Sequence, residues 1–313
     1  MLHARSRGRD DRHLRRIRAL DPEADHAEVA RITATTEFPW DTETALSLAL
    51  FRTFAVPTIS RILLDTGAFT GEARKRYDDT ELLLAEVEQH GYDEPRGKEA
   101  LRRINRMHAA YAIRPVDMTY VLSTFVFEPR RFIDAYGWRE LTPAEIAAGW
   151  RYWRELGARM GVRDVPDDRD EFEAWNRDFE RREFRYDPAN HAVADATMTM
   201  YLHEVYRVPR PLLPLARVAA LALLEPHLVA ALGYPQPPGW LRPLVRGALR
   251  GRARVQRWLL PPRSRPHRLT EVPRPTYPAG YRIEDLGTFP DPAEARHAGT
   301  RDGVAPDAVP ERR

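Results

Sequence analysis

The sequence predicts an all-α protein built as one large helical domain, and three observations carry this prediction. Nearly every segment between residues 22 and 260 places its apolar residues at the three- to four-residue spacing of a helix. Helix-starting signals recur, and the clearest is the capping box Thr142-Pro143-Ala144-Glu145, with proline in the first turn. The sequence has no Asn-Gly hairpin signal, no alternating strand pattern and no internal repeat.

Start and stop signals place the helices along this domain. Proline and acidic residues mark most of the starts, whereas glycine or proline marks most of the ends. The predicted helices are 22–36, opened by Pro22-Glu23; 41–56, opened by Asp41 and Glu43 and followed by Pro57; 81–90, preceded by Asp79-Thr80 and followed by Gly91; 98–113, followed by Pro115; the strongly apolar 117–136; 142–160; and 168–184.

Composition limits the classes of protein that fit. The chain has 313 residues, of which 43% are hydrophobic and 10% aromatic, so it can bury a large core and is not disordered throughout. It contains no cysteine, which excludes disulfides, thiolate metal sites, iron–sulfur clusters and cysteine nucleophiles. The formal net charge is only +3 and no nucleic-acid-reading motif is present, so no nucleic acid partner is predicted.

The two ends of the chain differ from the helical part. Residues 1–19 are rich in arginine and lack the apolar stretch of a secretory signal, so they predict a flexible amino terminus. Residues 20–262 form the predicted domain, and residues 263–313, rich in proline and arginine, predict a poorly ordered tail. The most apolar stretch, 212–233, is broken by charged residues and prolines. It therefore predicts a buried or interfacial helix pair, and the chain is predicted to be cytoplasmic without a transmembrane helix.

The helix 98–113 carries a histidine on its apolar side. Leu101, Ile104, His108 and Tyr111 form one stripe, and arginines occupy the opposite side. A neutral imidazole facing the core must satisfy its nitrogens by hydrogen bonds or by ligating a metal. Spacing alone favours a hydrogen-bonded core histidine and leaves metal ligation open.

A second polar cluster precedes the leucine-rich helix 81–90. Asp79 or Thr80 is predicted to cap that helix, and Asp78 would complement its dipole. Capping accounts for the acids and the threonine, but it does not explain Arg76.

Several motifs together resemble one family. They are EFPWDTETALSLALFRTFAVPTIS, KRYDDT, RRINRMHAAY, YVLSTFVFEPRRFIDAYGW and YWRELGARMGV, in this order. Over roughly residues 20–210 they resemble the MpaB-like and rubber oxygenase catalytic domain family, which includes the latex clearing proteins. The resemblance implies an all-helical domain that encloses a haem b pocket. It also implies oxidative cleavage of a C=C bond by O2 in a lipophilic, unsaturated, isoprenoid substrate.

The resemblance also assigns roles to residues of this chain. His108 matches the proximal haem ligand in its R-x-x-x-H-A context. Arg76 and Thr80 match an Arg-x-x-Lys-Thr motif on the distal side of the latex clearing proteins, with Asp79 in the lysine position. Arg76, Asp79 and Thr80 are therefore the expected catalytic residues, and Arg76 would also contact the cofactor. The departure at Asp79 argues against distal ligation by an amine.

Other residues remain as alternatives for two of these roles. Asp65 is a second choice, after Asp79, for the family's distal carboxylate base. His191 and His203 are alternative iron ligands, because both lie in a predicted helical stretch.

The segment 240–259 is predicted to be a basic amphipathic helix. Arginines recur in it every three or four residues, at positions 242, 246, 250, 254 and 257, with apolar residues between them. This pattern is typical of a helix that lies on an anionic membrane surface, and an ordinary solvated helix is the alternative.

The sequence leaves two other functions open. One is a haem-binding protein without catalytic activity, a sensor or carrier at the membrane. The other is a haem-free helical protein that keeps the fold without the chemistry.

Overall fold

A computed structural model describes residues 11–288 of the chain. This part contains fourteen α-helices and no β-strand, which confirms the predicted all-α class. Two short π-helical turns, Thr33–Glu37 and Tyr201–Val205, follow α2 and α11. The helices are α1 Arg12–Ala19, α2 His26–Ile32, α3 Pro39–Phe54, α4 Pro57–Asp65, α5 Ala68–Gly71, α6 Ala73–His90, α7 Pro95–His108, α8 Pro115–Tyr136, α9 Pro143–Arg159, α10 Arg169–Glu183, α11 Pro188–Met200, α12 Leu213–Leu221, α13 Pro226–Ala231 and α14 Leu241–Leu259.

The helices pack in pairs around two large hydrophobic cores, and three smaller buried clusters lie beside them in the described part of the chain. The most extensive pairs are α3 with α8, α2 with α9, and α6 with α7. One core joins Phe54 of α3 to Leu228 and Leu232 near α13, and all three side chains are fully buried. The other joins Leu82 of α6 to Leu101 of α7. Helix α6 therefore lies between the two cores.

Local signals position most of the helix starts. Thr142 and Glu145 form the predicted capping box at the start of α9, and Asp168 caps α10 through two backbone N–H groups. The prediction for α6 is wrong, because this helix begins at Ala73 rather than at residue 81. Asp79 and Thr80 consequently lie inside the helix and cap nothing.

A buried ionic network ties α3 to α8, α10 and the start of α13. Arg52 is 5% exposed, and its guanidinium lies 2.6 Å from Glu180, 2.8 Å from Glu225 and 3.4 Å from Glu128. Tyr120 donates a hydrogen bond to Glu180 as well. Buried charges with this many partners hold neighbouring helices in one arrangement.

Residues 263–288 form a C-terminal strap along α6 and α7, which differs from the predicted poorly ordered tail. Ile283 and Leu286 of the strap are buried against the α6–α7 core. Arg103 of α7 donates a hydrogen bond of 2.6 Å to the carbonyl of Leu286. Gly287 has a φ of +90°, and a Cβ there would overlap Met107 Sδ. Composition alone misses such specific tertiary partners.

The two chain ends are described only in part. Residues 12–19 form α1, which buries Leu14 and Ile17, instead of belonging to a flexible terminus. Residues 1–10 and 289–313, on which the rest of these two predictions falls, lie outside the described part of the chain.

No single helix between residues 11 and 288 is long and apolar enough to cross a membrane. The pair α3 and α4 together has the necessary length and composition, but these two helices meet at a 97° bend.

Candidate active site

A cavity of about 410 Å³ lies between α3, α6, α7, α8 and α9. Its volume falls in the range of small-molecule sites, roughly 300–1,000 Å³. Most of its wall is apolar, with contributions such as Ile104, Leu122 and Trp153. The few polar groups in this wall therefore decide what the cavity can bind.

One face of α6 borders the cavity along most of the helix. Residues at i, i+3, i+4 and i+7 share a helix face, so one stripe of side chains forms the part of the wall that α6 contributes. This stripe consists of Ala73, Arg76, Tyr77, Thr80, Glu81, Leu84 and Glu88.

His108, the last residue of α7, also borders the cavity. Its Nδ1 is buried and has no hydrogen-bond partner among residues 11–288. Burial and, to a lesser degree, the guanidinium of Arg76 lower the pKa of His108 to about 4. The imidazole is therefore neutral at pH 7, which is the state that ligates a metal. The hydrogen-bonded core histidine that spacing favours is not what the structure shows.

Arg76 and Thr80 meet one turn apart on the cavity face of α6. Arg76 Nη1 donates a hydrogen bond to Thr80 Oγ1, and Thr80 Oγ1 donates to the Arg76 carbonyl at 2.9 Å. The guanidinium lies 5.3 Å from the ring centre of Phe69. No carboxylate of the described residues lies within 4 Å of it. Burial lowers the pKa of Arg76, and Asp79 offsets only part of this effect. Arg76 is thus a buried cation that can accept an anionic or oxygen-rich ligand.

The structure does not bring Asp79 to the cavity, which argues against its predicted catalytic role. Asp79 is 1% exposed and is held by Lys75, at 2.7 Å, and by the hydroxyl of Tyr277 in the strap. Although it lies three positions after Arg76, Asp79 is not part of the cavity wall, because Lys75 and Tyr277 bind its carboxylate on another side of α6. Asp65, the second choice, is exposed near the end of α4 and does not line the cavity either.

The alternative histidines also lie outside the cavity wall. His191 Nδ1 contacts the carbonyl of Leu232 at 3.0 Å, and its ring packs against Tyr234. His203 is exposed in the π turn that follows α11. Among the three histidines considered as ligands, the structure places only His108 at the cavity.

A comparison of the sequence with models of known protein families identifies the family of this chain. The family model described as "ER-bound oxygenase mpaB/B′/Rubber oxygenase, catalytic domain" matches residues 43–258. The chain belongs to this family. The matched region includes His108 and the cavity-facing stripe of α6, so the helical site described above lies within the family's catalytic domain.

Known relatives are members of the same oxygenase family from fungi. The chain is 29% identical to the ER-bound oxygenase mpaB′ of Penicillium brevicompactum over 290 residues, which cover 87% of this chain and 64% of the relative. It is 31% identical to the ER-bound oxygenase mpaB of the same species over 196 residues, 57% of this chain and 50% of the relative. It is 30% identical to mpaB of Penicillium roqueforti over 202 residues, 59% of this chain and 68% of the relative. The chain thus spans about two thirds and one half of the lengths of the first two relatives.

Sequence reasoning missed an acidic group at another part of the cavity. Glu88, two turns beyond Thr80 on α6, lines the wall close to Glu43 of α3. Burial raises the pKa of Glu88 to about 7, an effect that Glu43 reinforces and Arg31 opposes. The sequence signal for Glu88 is its helical spacing from Arg76 and Thr80. This spacing can be recognised only when α6 is known to begin at Ala73.

The residues present fit a haem. A haem needs an apolar crevice, one neutral imidazole for the iron and cations for its propionates. The cavity supplies apolar walls, the imidazole of His108, whose buried Nδ1 has no partner among residues 11–288, and the guanidinium of Arg76, which is hydrogen-bonded to Thr80 but has no carboxylate partner there. Between residues 11 and 288 no group of three or more His, Asp or Glu side chains is placed to hold a metal ion directly.

Proposed function

We propose that this protein is a haem b-dependent oxygenase that cleaves a C=C bond of a lipophilic, isoprenoid substrate with O2. The observation that carries the proposal is the imidazole of His108, which lines an apolar cavity and whose buried Nδ1 has no partner in the described part of the chain. Leaving such a group unpaired costs about 1–3 kcal/mol, so an external ligand is needed to compensate for it. Membership of the oxygenase family supports the same conclusion.

Different cavity residues would have different roles in such a reaction. His108 would hold the iron, and haem b when bound supplies the redox-active metal for O2 chemistry. The guanidinium of Arg76 points donors into the cavity, where it would bind a propionate or an oxygen atom that develops negative charge. Thr80 holds this guanidinium by accepting its hydrogen bond. The apolar wall of α8 would bind the alkene and exclude water from it.

Absorption spectra of the purified protein and of His108→Ala test the proposal. We expect a haem spectrum in the parent protein and loss or weak retention of haem in the variant, with helical content preserved. A ligand present at a thousandfold its Kd stabilises a protein by about 4 kcal/mol, so the variant should lose stability on this scale. His203→Ala, which changes an exposed histidine, is the matched control. Unchanged haem binding in His108→Ala would overturn the assignment.

A second part of the proposal is that α14 rests on an anionic membrane. Among the described residues, eight of the eleven exposed large hydrophobic side chains lie between residues 212 and 260. Leu244, Val255 and Trp258 form one exposed side of α14, and the predicted arginines at positions 246, 250 and 254 form an adjacent exposed side. Such a helix places apolar residues at the headgroup boundary and arginines against anionic lipid. A lipophilic substrate would then enter from the bilayer.

A further inference from the structure

Tyr201 presents a hydroxyl to the cavity that nothing in the described protein satisfies. It follows α11 as the first residue of the π turn Tyr201–Val205, and turns of this kind are frequent at functional sites. The side chain is 4% exposed and lines the cavity. Its Oη is buried and has no hydrogen-bond partner among residues 11–288. Buried hydroxyls are nearly always paired, so this group is expected to be paired when the cavity holds a ligand.

The neighbouring hydroxyl groups have hydrogen-bond partners, so the lack of a partner is not a general property of this region. The ring of Tyr77 packs edge-on against Tyr201, with centroids 5.2 Å apart, and also lines the cavity. Tyr77 Oη donates to Glu81 Oε1 at 2.6 Å. Ser47 of α3 donates to the Glu43 carbonyl at 2.9 Å. Tyr77 and Ser47 each donate to an acceptor in the protein. Tyr201 Oη has no hydrogen-bond partner among residues 11–288, although Ser47 lies close enough to oppose part of the rise in its pKa.

The surroundings of Tyr201 define the ligand group that it would bind. Burial raises the pKa of Tyr201, so its hydroxyl stays protonated and acts as a donor near neutral pH. The carboxylate of Glu81 lies close enough to interact with it and disfavours a second anion. The remaining wall nearby, including Leu50 and Phe54, is apolar. The complementary ligand is an uncharged oxygen acceptor on an apolar body.

We propose that Tyr201 Oη donates a hydrogen bond to an uncharged oxygen of the substrate, such as an ether, ester, carbonyl or hydroxyl oxygen. The cavity would then select oxygen-bearing isoprenoids over pure hydrocarbons. The isoprenoid class rests on the proposed function, whereas the hydrogen bond follows from the cavity itself.

The first test compares the thermal stability of two conservative variants without added substrate. Tyr201→Phe removes only an unpaired hydroxyl, so its Tm should stay the same or rise by about 2 °C. Tyr77→Phe, the matched control, leaves a Glu81 oxygen without its donor and should lower Tm. If Tyr201→Phe lowers Tm as much as Tyr77→Phe does, the hydroxyl is bonded inside the protein and the proposal fails.

The second test measures binding by calorimetry with two terpene probes, geranyl methyl ether, which carries a ten-carbon geranyl chain, and the ten-carbon hydrocarbon myrcene. The parent protein should bind the ether about two- to tenfold more tightly, the range of one neutral hydrogen bond. Tyr201→Phe should remove this preference without changing the Kd for myrcene, and Tyr77→Phe should retain it. An ether preference that survives in Tyr201→Phe overturns the proposal.

A third measurement separates the substrate from the cofactor as the acceptor. Haem retention should be the same in Tyr201→Phe and the parent protein. If the variant loses haem while the ether preference remains, the acceptor is a haem propionate and the substrate assignment is wrong. None of these measurements depends on turnover, so a failure of the oxygenase proposal would be distinguishable from a failure of this one.

Discussion

Arg52 and Arg76 are both buried arginines inside the helical domain, yet their surroundings are opposite. Arg52 has carboxylates of Glu128, Glu180 and Glu225 within 3.4 Å. Burial alone would lower the pKa of Arg52, but these carboxylates raise it well above its ordinary value. Arg76 has no such partner among the described residues, and burial lowers its pKa. The first arginine is compensated by the protein, and the second is left for a ligand.

This contrast separates residues that stabilise the fold from residues that bind. The same test distinguishes His191, whose Nδ1 contacts a backbone carbonyl, from His108, whose Nδ1 has no hydrogen-bond partner among residues 11–288. Uncompensated polar groups are costly inside a protein, and several of those among residues 11–288, including His108 Nδ1 and Tyr201 Oη, lie on the wall of one cavity. Their cost is expected to be offset when that cavity is filled.

The largest effect that we expect is a loss of folding stability when Arg52 is replaced. Arg52→Met leaves three carboxylates without their buried cation, and removal of one partner from such a network costs about 3–5 kcal/mol. Urea denaturation of the ligand-free protein measures this loss. Arg61→Met, which removes a 65% exposed arginine from its pair with Asp187, is the control and should cost less, on the scale of about 1 kcal/mol.

The same substitution at Arg76 sharpens the comparison. Arg76→Met removes a buried cation that has no carboxylate partner, so the free energy of unfolding of the ligand-free protein should stay constant or rise. A loss of stability as large as that of Arg52→Met would show that Arg76 is a structural residue. The distinction between a stabilising Arg52 and a ligand-binding Arg76 would then be wrong.

A smaller effect is expected on turnover. Arg76→Ala removes a donor and Thr80→Ala removes the group that positions it, so both variants should react more slowly, while His108 still holds the haem. Loss of one preorganised donor raises a reaction barrier by about 2.7–4 kcal/mol in comparable sites. Asp79→Asn serves as the control, because Asp79 lies outside the cavity wall and should leave the rate nearly intact. Parental rates in both alanine variants would remove these residues from the mechanism.

The smallest effect per residue is expected on the side of α14 that we propose to face a membrane. Each arginine close to an anionic surface contributes about 1 kcal/mol of attraction, which salt weakens. Replacing Arg246, Arg250 and Arg254 with Gln should reduce sedimentation with phosphatidylserine vesicles at low salt. Arg61→Gln, on another surface, should not change it. If the parent protein does not bind these vesicles at low salt, α14 is an ordinary solvated helix.

Much of the fold and one central residue could be predicted from the sequence. Helical spacing identified the all-α class, and the apolar stripe of α7 placed His108 towards the interior. The start of α6 was missed because Glu72, which precedes it, makes no side-chain capping hydrogen bond. That error turned Thr80 into a cap and hid the face it shares with Arg76.

Other parts of the site depend on contacts that no local pattern encodes. Tyr277 of the strap binds Asp79, although the two residues are 198 positions apart. The high content of proline and arginine predicted a poorly ordered tail there. Composition carries no information about the tertiary contacts that these residues make. Tyr201 shows the same limit, since only the folded cavity reveals that its hydroxyl lacks an acceptor.

The C-terminal strap lies beyond residue 258, where the family match ends, yet His267, Leu269 and Thr288 of the strap line the cavity. The wall around the ligand is thus assembled from the helices that the family model covers and from a strap that lies outside its span. Substitutions in the strap can reshape the cavity while the helices that position His108 are left intact. Exchanging this segment between relatives is therefore a direct way to change which molecules the cavity admits.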